Sequence, residues 1–319
     1  MFIKNVWKIT AQTFTDFFNH RVLKLSAALA YYTIFSLPGL IIIIIWVSDI
    51  FYGREAIEGT IYHQIEGFVG KEPAIQIQET IRNATLSSDS GFATLVGLAT
   101  LLLGATSVFG EIQDSINLIW RLKAKPRKGR GWLKLIINRL LSFSMIVTLG
   151  FLSLVSLLIN GLMDTFITRL TQSFPETQII LVYTFNLLVT FASISLLFAI
   201  IFKVLPDARI KWKHVRIGAV TTALLFMAGK FLISYYLGHS RMSSVYGAAG
   251  SIIVILLWVY YSSIILYFGA AFTRVYAIHK GSHIYPDNYA VWIEQVEVES
   301  KQSLQEQPEA SEIKTEDAR

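Results

Sequence analysis

Six long apolar runs, each closed by a polar segment, set the fold of this chain: Leu25–Ile50, Phe92–Gly110, Leu133–Leu162, Ile179–Phe202, Ile217–Leu237 and Val245–Phe272. Each reaches or nearly reaches the ~20 residues that a helix needs to cross ~30 Å of hydrocarbon. Backbone N–H and C=O groups in lipid must be satisfied within the spanning structure, which leaves helices or a closed barrel. Barrel strands run ~10 residues with alternating polarity, and these runs are longer and uniformly apolar. The sequence therefore predicts an all-α, polytopic membrane protein with six transmembrane helices. The composition agrees, with 53% hydrophobic residues, 16% charged residues and a mean hydropathy of +0.51.

The basic residues divide unequally between the connections. Counting Lys and Arg, 22 fall before the first run, in Arg121–Arg139, in Lys203–Arg216 or after the last run, against five in the first, third and fifth connections, with Lys230 deep inside the fifth run. The positive-inside rule then places both termini in the cytoplasm. It also assigns the net charge of +6 and the pI near 9.3 to the inner membrane surface. The polybasic stretch Arg121–Gly131 reads as a topogenic loop on anionic headgroups, and nothing around it suggests nucleic-acid binding. The chain has no cysteine, which excludes disulfides, thiol nucleophiles and thiolate metal sites.

Three regions follow from this pattern. Residues 1–24 mix Phe2, Val6, Ile9, Phe14, Phe17 and Phe18 with Lys4, Lys8, Arg21 and Lys24, which suits a helix in the headgroup region or an amphipathic cytoplasmic cap packed on the bundle. Residues 25–282 form the six-helix membrane domain, whose first run is long enough to stay as a signal anchor. Its outer segment 50–91 repeats Ile57, Ile61, Ile65 and Phe68 at helical spacing, and a second short helix is expected over Ala74–Asn83 after Pro73. Residues 283–319 are acidic and are expected to form a disordered cytoplasmic tail.

Polar groups inside the runs supply the candidate sites. Ser107, Gly110, Glu111, Asp114 and Asn117 recur at helical spacing near the cytoplasmic end of the second run, continuing a stripe of small residues. Glu111, Asp114 and Asn117, with Arg139 at a matching depth and Lys230 in the fifth run, are candidate substrate-path or gating residues. A structural ion pair between Arg139 and one of the carboxylates competes with that reading, as do Lys203 and Arg216 as partners, and Lys230 can snorkel outward. At the outer face, His239, Arg241, Ser243, Tyr246 and Gly247 are candidate headgroup contacts ahead of the sixth helix, although a tightly packed short turn explains them as well. The histidines show no metal-ligand spacing, no nucleotide-binding loop is present, and no cofactor is expected.

Together, Ala27-Ala-Leu-Ala-Tyr-Tyr-Thr-Ile-Phe-Ser-Leu-Pro38, Asn117-Leu-Ile-Trp120, Leu205-Pro206 with Trp212 and Gly218-Ala219, Ser244-Val-Tyr-Gly247, Trp258-Val-Tyr260 and Gly269-Ala270 resemble the YihY/BrkB family of membrane proteins, once mislabelled ribonuclease BN. The resemblance covers residues 24 to about 277. It implies six helices in the bacterial inner membrane with both ends inside, and links to serum resistance and lipid or lipopolysaccharide export. Two positions depart from the family pattern: Ala271 stands where members often carry Glu, and Gly39 stands where a second proline often follows. The expected function is transport or flipping of a lipid or other amphiphilic anion in envelope biogenesis. The alternative is a non-catalytic envelope assembly protein. Neither reading involves an enzyme, and ribonuclease activity is not expected. The expected partners are membrane lipids with anionic headgroups at the inner surface, a second copy of the chain, or an envelope protein.

Overall fold

The structure is a computed structural model, and it describes residues 2–51, 66, 71–85, 104, 107–124, 178–239, 250–282, 284–287 and 290–293. Their elements, in chain order, are α1 (Phe2–Asn19), α2 (Val22–Phe51) and α3 (Lys71–Thr85), then α4 (107–119) and β1 (Leu122–Ala124). They continue with α5 (Gln178–Val204), β2 (Ala208–Arg209), α6 (Trp212–His239), α7 (Gly250–His279), β3 (Tyr285–Pro286) and β4 (Ala290–Trp292).

The first, fourth and fifth runs lie inside α2, α5 and α6, and at ~1.5 Å per residue each of these helices is longer than a ~30 Å hydrocarbon layer. Within the described residues, Leu187–Val204, Trp212–Leu237 and Ile252–His279 are long and apolar enough to cross a membrane. The chain is a mostly helical, multi-pass membrane protein. The third run lies outside the described residues. The sixth run and its helix are offset: α7 begins at Gly250 and continues past Phe272 to His279. Arg274, expected just beyond the membrane helix, is therefore a helical residue buried to 7% exposure.

Helix α7 is the hub, packing against α1, α2, α3 and α6, while α5 packs on α6. Glycine and threonine set the α6–α7 approach. A Cβ added at Gly218 would overlap Thr273, and one added at Gly269 would overlap Thr222. Each threonine back-bonds at 2.7 Å to the glycine carbonyl one turn earlier in its own helix, Thr222 to Gly218 and Thr273 to Gly269. The two Gly-x-x-x-Thr units thus interlock reciprocally, each threonine filling the space the facing glycine leaves. Without a hydrophobic driving force between helices in lipid, such close van der Waals contact holds the pair together.

One core joins the starts of α2 and α6 to the ends of α4, α5 and α7 through Val22, Trp120, Phe202, Val215 and Ala277. The end of the molecule that carries this core also carries α1. Helix α1 lays Ile9, Thr13, Asp16 and Phe17 inward, with Phe14 and Phe17 against Phe268 of α7 at ring-centroid distances of 5.1 and 6.0 Å. Its other side exposes Trp7 and Phe18, while Phe14 at the edge touches Phe268 and stays half exposed. Both α1 and α4 end on an arginine in the left-handed region, Arg21 (φ 51°) and Arg121 (φ 59°), where glycine is the usual residue.

The segment after α7 departs from the expected solvated tail. It crosses the core-bearing end as a strap: β3 pairs antiparallel with β2, and β4 with β1 in the register Leu122 to Trp292. Ile293 N–H donates to the Arg121 carbonyl at 2.9 Å. Residues 294–319 lie outside the described residues. The expected short helix over Ala74–Asn83 falls within α3, with Pro73 in its first turn, where the missing N–H costs nothing.

Candidate functional site

A buried polar layer lies across the core-bearing end, and its centre is Asp207. Pro206 follows α5 and cannot continue the helical hydrogen bonding, so the chain turns and buries Asp207 to 3% exposure. A carboxylate in such a place needs donors, and the end of α4 supplies them. Gln113 Nε2 donates to Asp207 Oδ1 at 2.8 Å and Asn117 Nδ2 to Oδ2 at 3.0 Å. The Asp207 N–H returns a bond to Asn117 Oδ1 at 2.9 Å, and its carbonyl accepts from Asp287 N–H of the strap at 3.0 Å. One residue thereby fastens α4, the α5–α6 turn and the C-terminal strap together.

Around this centre, Trp120 is fully buried and donates its Nε1–H to the Ala270 carbonyl of α7 at 3.0 Å. Lys203, considered from sequence as a partner for Glu111 or Asp114, donates to the Ile210 carbonyl at 2.6 Å and lies 5.8 Å from the Trp212 ring centroid. It holds the α5–α6 turn instead. Arg216 is exposed. A second buried contact joins Arg274 Nη1 of α7 to Asp16 Oδ2 of α1 at 2.7 Å.

The expected stripe on the second run divides. At ~100° per residue, Asn117 lies ~60° around α4 from Asp114. That offset turns Asn117 into the Asp207 cage while Ser107 and Asp114 remain exposed. Glu111 is half-buried and accepts from Ser115 Oγ at 3.2 Å. The fully buried Tyr267 phenol of α7 is next to Ser115 and within electrostatic reach of Glu111. Ala271, one turn further along α7, is also fully buried.

Lys230 does not join this group. It is half-buried in α6, 5.9 Å from the Phe231 ring centroid, and feels the charge of Glu66 from the first connection. His239 is exposed and uses Nδ1 on the Tyr235 carbonyl at 2.9 Å, with the two rings 4.2 Å apart. Arg139, Arg241, Ser243, Tyr246 and Gly247 lie outside the described residues. No group of three His, Cys, Asp or Glu side chains that could hold a metal ion occurs among the described residues.

The residues missed from sequence are Asp16, Gln113, Asp207, Tyr267 and Arg274. The local signal for Asp207 was its place directly after the helix-ending Leu205-Pro206 pair, which marks a turn but not its burial. Asp16, the acid among the bases of residues 1–24, was a weaker one.

The segments that meet in this layer, Asn117–Trp120, Leu205–Pro206, Gly218–Ala219 and Gly269–Ala270, fall within one family match. The model of the family described as Virulence factor BrkB matches residues 13–288. The chain belongs to the BrkB family. Among curated BrkB-like relatives, a UPF0761 membrane protein of Tolumonas auensis is 26% identical, covering 83% of this chain and 85% of its own length. One of Pseudoalteromonas atlantica is 28% identical, covering 77% of this chain and 78% of its own length. One of Chromobacterium violaceum is 27% identical over 82% of this chain but only 60% of its own length. No solved structure matches. In BrkB-family terms, the segments carrying the resemblance are packing elements here: Asn117 and Trp120 tie α4 down, and the two glycines bring α6 and α7 together.

Proposed function

We propose that this BrkB-family protein is a transporter or flippase for a lipid or other amphiphilic anion, acting in envelope biogenesis from the bacterial inner membrane. The observation that carries this reading is the open face of α4. Ser107 and Asp114 are exposed and Gly110 and Glu111 only half-buried, directly beside a layer in which Ser115, Asn117 and Trp120 are sealed. Ionisable groups in a membrane domain face cavities or water more readily than lipid, so an open carboxylate face suits a polar path. Six crossings with both termini in the cytoplasm are part of the same proposal. They are supported by a core that joins the starts of α2 and α6 to the ends of α4, α5 and α7. The bases near that end, Arg21, Lys24, Arg121, Lys211 and Lys213, suit anionic headgroups of the inner leaflet.

A second reading, a non-catalytic envelope assembly protein, is favoured by the engagement of Asn117 in the Asp207 cage and by the exposed Trp7 and Phe18 on α1. Neither reading assigns an enzymatic step. Reconstitution into vesicles with labelled lipids separates them. Leaflet exchange faster in protein-containing than in empty vesicles supports transport. Equal exchange together with a stable complex on mild extraction overturns it in favour of assembly.

A further inference from the structure

We propose that α1 seats the protein on an anionic lipid surface, with Trp7, Ala11 and Phe18 in the acyl boundary of the leaflet and Lys8, Arg21 and Lys24 among its phosphates. The helix has three sides rather than two. At ~100° per residue, the buried Ile9, Thr13, Asp16 and Phe17 share one side, against the bundle. Lys8, Gln12, Thr15 and Asn19, all exposed, share a second. Trp7, Ala11 and Phe18 fall within about 40° of one another on a third, and Phe14 marks its border with the buried side. Trp7 is 74% and Phe18 63% exposed. A helix packed on a protein in water needs one apolar side and one polar side. The second apolar side is left uncovered among the described residues, and its tryptophan is of the amphipathic kind favoured at headgroup level.

Depth and charge decide what covers it. Phe14 and Phe17 rest on Phe268, and Asp16 on Arg274. Both partners belong to the apolar span Ile252–His279, and Phe268 lies ~16 Å inside its end at 1.5 Å per residue. Helix α1 is thus held against the membrane portion of α7, at the level where an interfacial helix buries its apolar side. The helix that follows, α2, exposes Leu23, Tyr31 and Phe35, so apolar surface runs on in sequence into a spanning helix. Asp16 is the only acid in residues 1–24, and Arg274 takes up its charge inside the protein. The exposed charges described on α1 and the start of α2 are therefore all positive: Lys8, Arg21 and Lys24. Lys211 and Lys213, exposed at the same end of the molecule, add to that field. An anionic surface at this depth matches both properties, whereas a cytosolic protein partner would have to enter the lipid to reach the stripe. The seat stands whether or not the protein moves lipid; only its assignment to the cytoplasmic leaflet rests on the topology proposed above.

The test uses the full-length chain in vesicles of phosphatidylcholine and phosphatidylglycerol. The natural chain lacks cysteine, so Ala11→Cys and Gln12→Cys each carry one environment-sensitive fluorophore. Both positions are exposed, on different sides of α1, so neither label enters the packed side. The label in Ala11→Cys is expected to be quenched by spin-labelled lipid and shielded from aqueous iodide, and the label in Gln12→Cys to behave in the opposite way. Spin-labelled phosphatidylglycerol is expected to quench the Ala11→Cys label at least about twofold more than spin-labelled phosphatidylcholine, a preference lost at high salt and in Lys8→Gln with Arg21→Gln. Iodide reaching both labels equally overturns the proposal, and so does equal quenching by the two lipids. A label open to iodide in vesicles but shielded in native membranes identifies a protein partner on this side and also overturns it. Lipid contact at Ala11 needs no lipid movement, so it can be present where leaflet exchange is absent, and the two readings fail separately.

Discussion

Arg274 Nη1 and Asp16 Oδ2 meet at 2.7 Å with side chains only 8% and 10% exposed, tying α1 to α7, the first and last of the described helices. Breaking such a pair leaves one charge buried without compensation, whereas replacing both by apolar residues of similar volume is often neutral. Asp16→Ala is therefore expected to destabilise the detergent-solubilised protein by about 3–5 kcal/mol. The pair Asp16→Leu with Arg274→Met is expected to recover most of that loss. A double-mutant cycle on thermal unfolding checks both outcomes.

Asp207 gathers donors from two helix-borne amides and lends its carbonyl to the strap. Asp207→Ala strands Gln113 and Asn117, at about 1–3 kcal/mol per buried group left unpaired. Asp207→Asn retains one acceptor and is expected to cost less. Thermal melts ranking wild type above Asn above Ala check the cage; equal melts for Ala and wild type contradict it.

The interlocked Gly-x-x-x-Thr units predict a steep size dependence. Gly218→Ala and Gly269→Ala push into Thr273 and Thr222, and overpacking of this kind costs about 1–3 kcal/mol. Gly110→Ala meets open space and removes a flexible residue from a helix, so it is expected to be neutral or to stabilise by up to about 1 kcal/mol. Melting curves of the three variants measured side by side decide it.

Because the natural chain contains no cysteine, single cysteines report sidedness directly. Lys280→Cys is expected to react with a membrane-impermeant maleimide only after permeabilisation, and Lys71→Cys in intact cells. The opposite pattern inverts the topology.

The helices were legible because a long apolar run needs no long-range information: composition and length alone place α2, α5 and α6. Connections were less so. The sixth helix outruns its apolar segment because Arg274 finds Asp16, 258 residues earlier, and a pairing at that separation leaves no local trace. Asn117 groups with Asp114 in the sequence because their ~60° offset on a helical wheel is within the tolerance of a face; only the donor demand of Asp207 decides which way Asn117 turns. The strap was expected to be solvated on the acidity of residues 283–319 as a whole, although residues 284–293 include Ile284, Tyr285, Val291, Trp292 and Ile293. Its order comes from backbone bonds to β1 and β2 and from burial of Ile284 in the core, and these partners lie far from it in sequence.

The strap also imposes a sequence of events in time. Trp292 pairs with Leu122, a residue made 170 positions earlier, and at ~5–20 residues per second that interval is on the order of 10 to 30 s. Throughout it, the loop after α4 waits at the membrane with an unpaired edge while the remaining helices are delivered. A ribosome that stalls before residue 284 leaves a protein with its helices inserted and its seal missing, which marks it out from a finished molecule to any protease that surveys the surface.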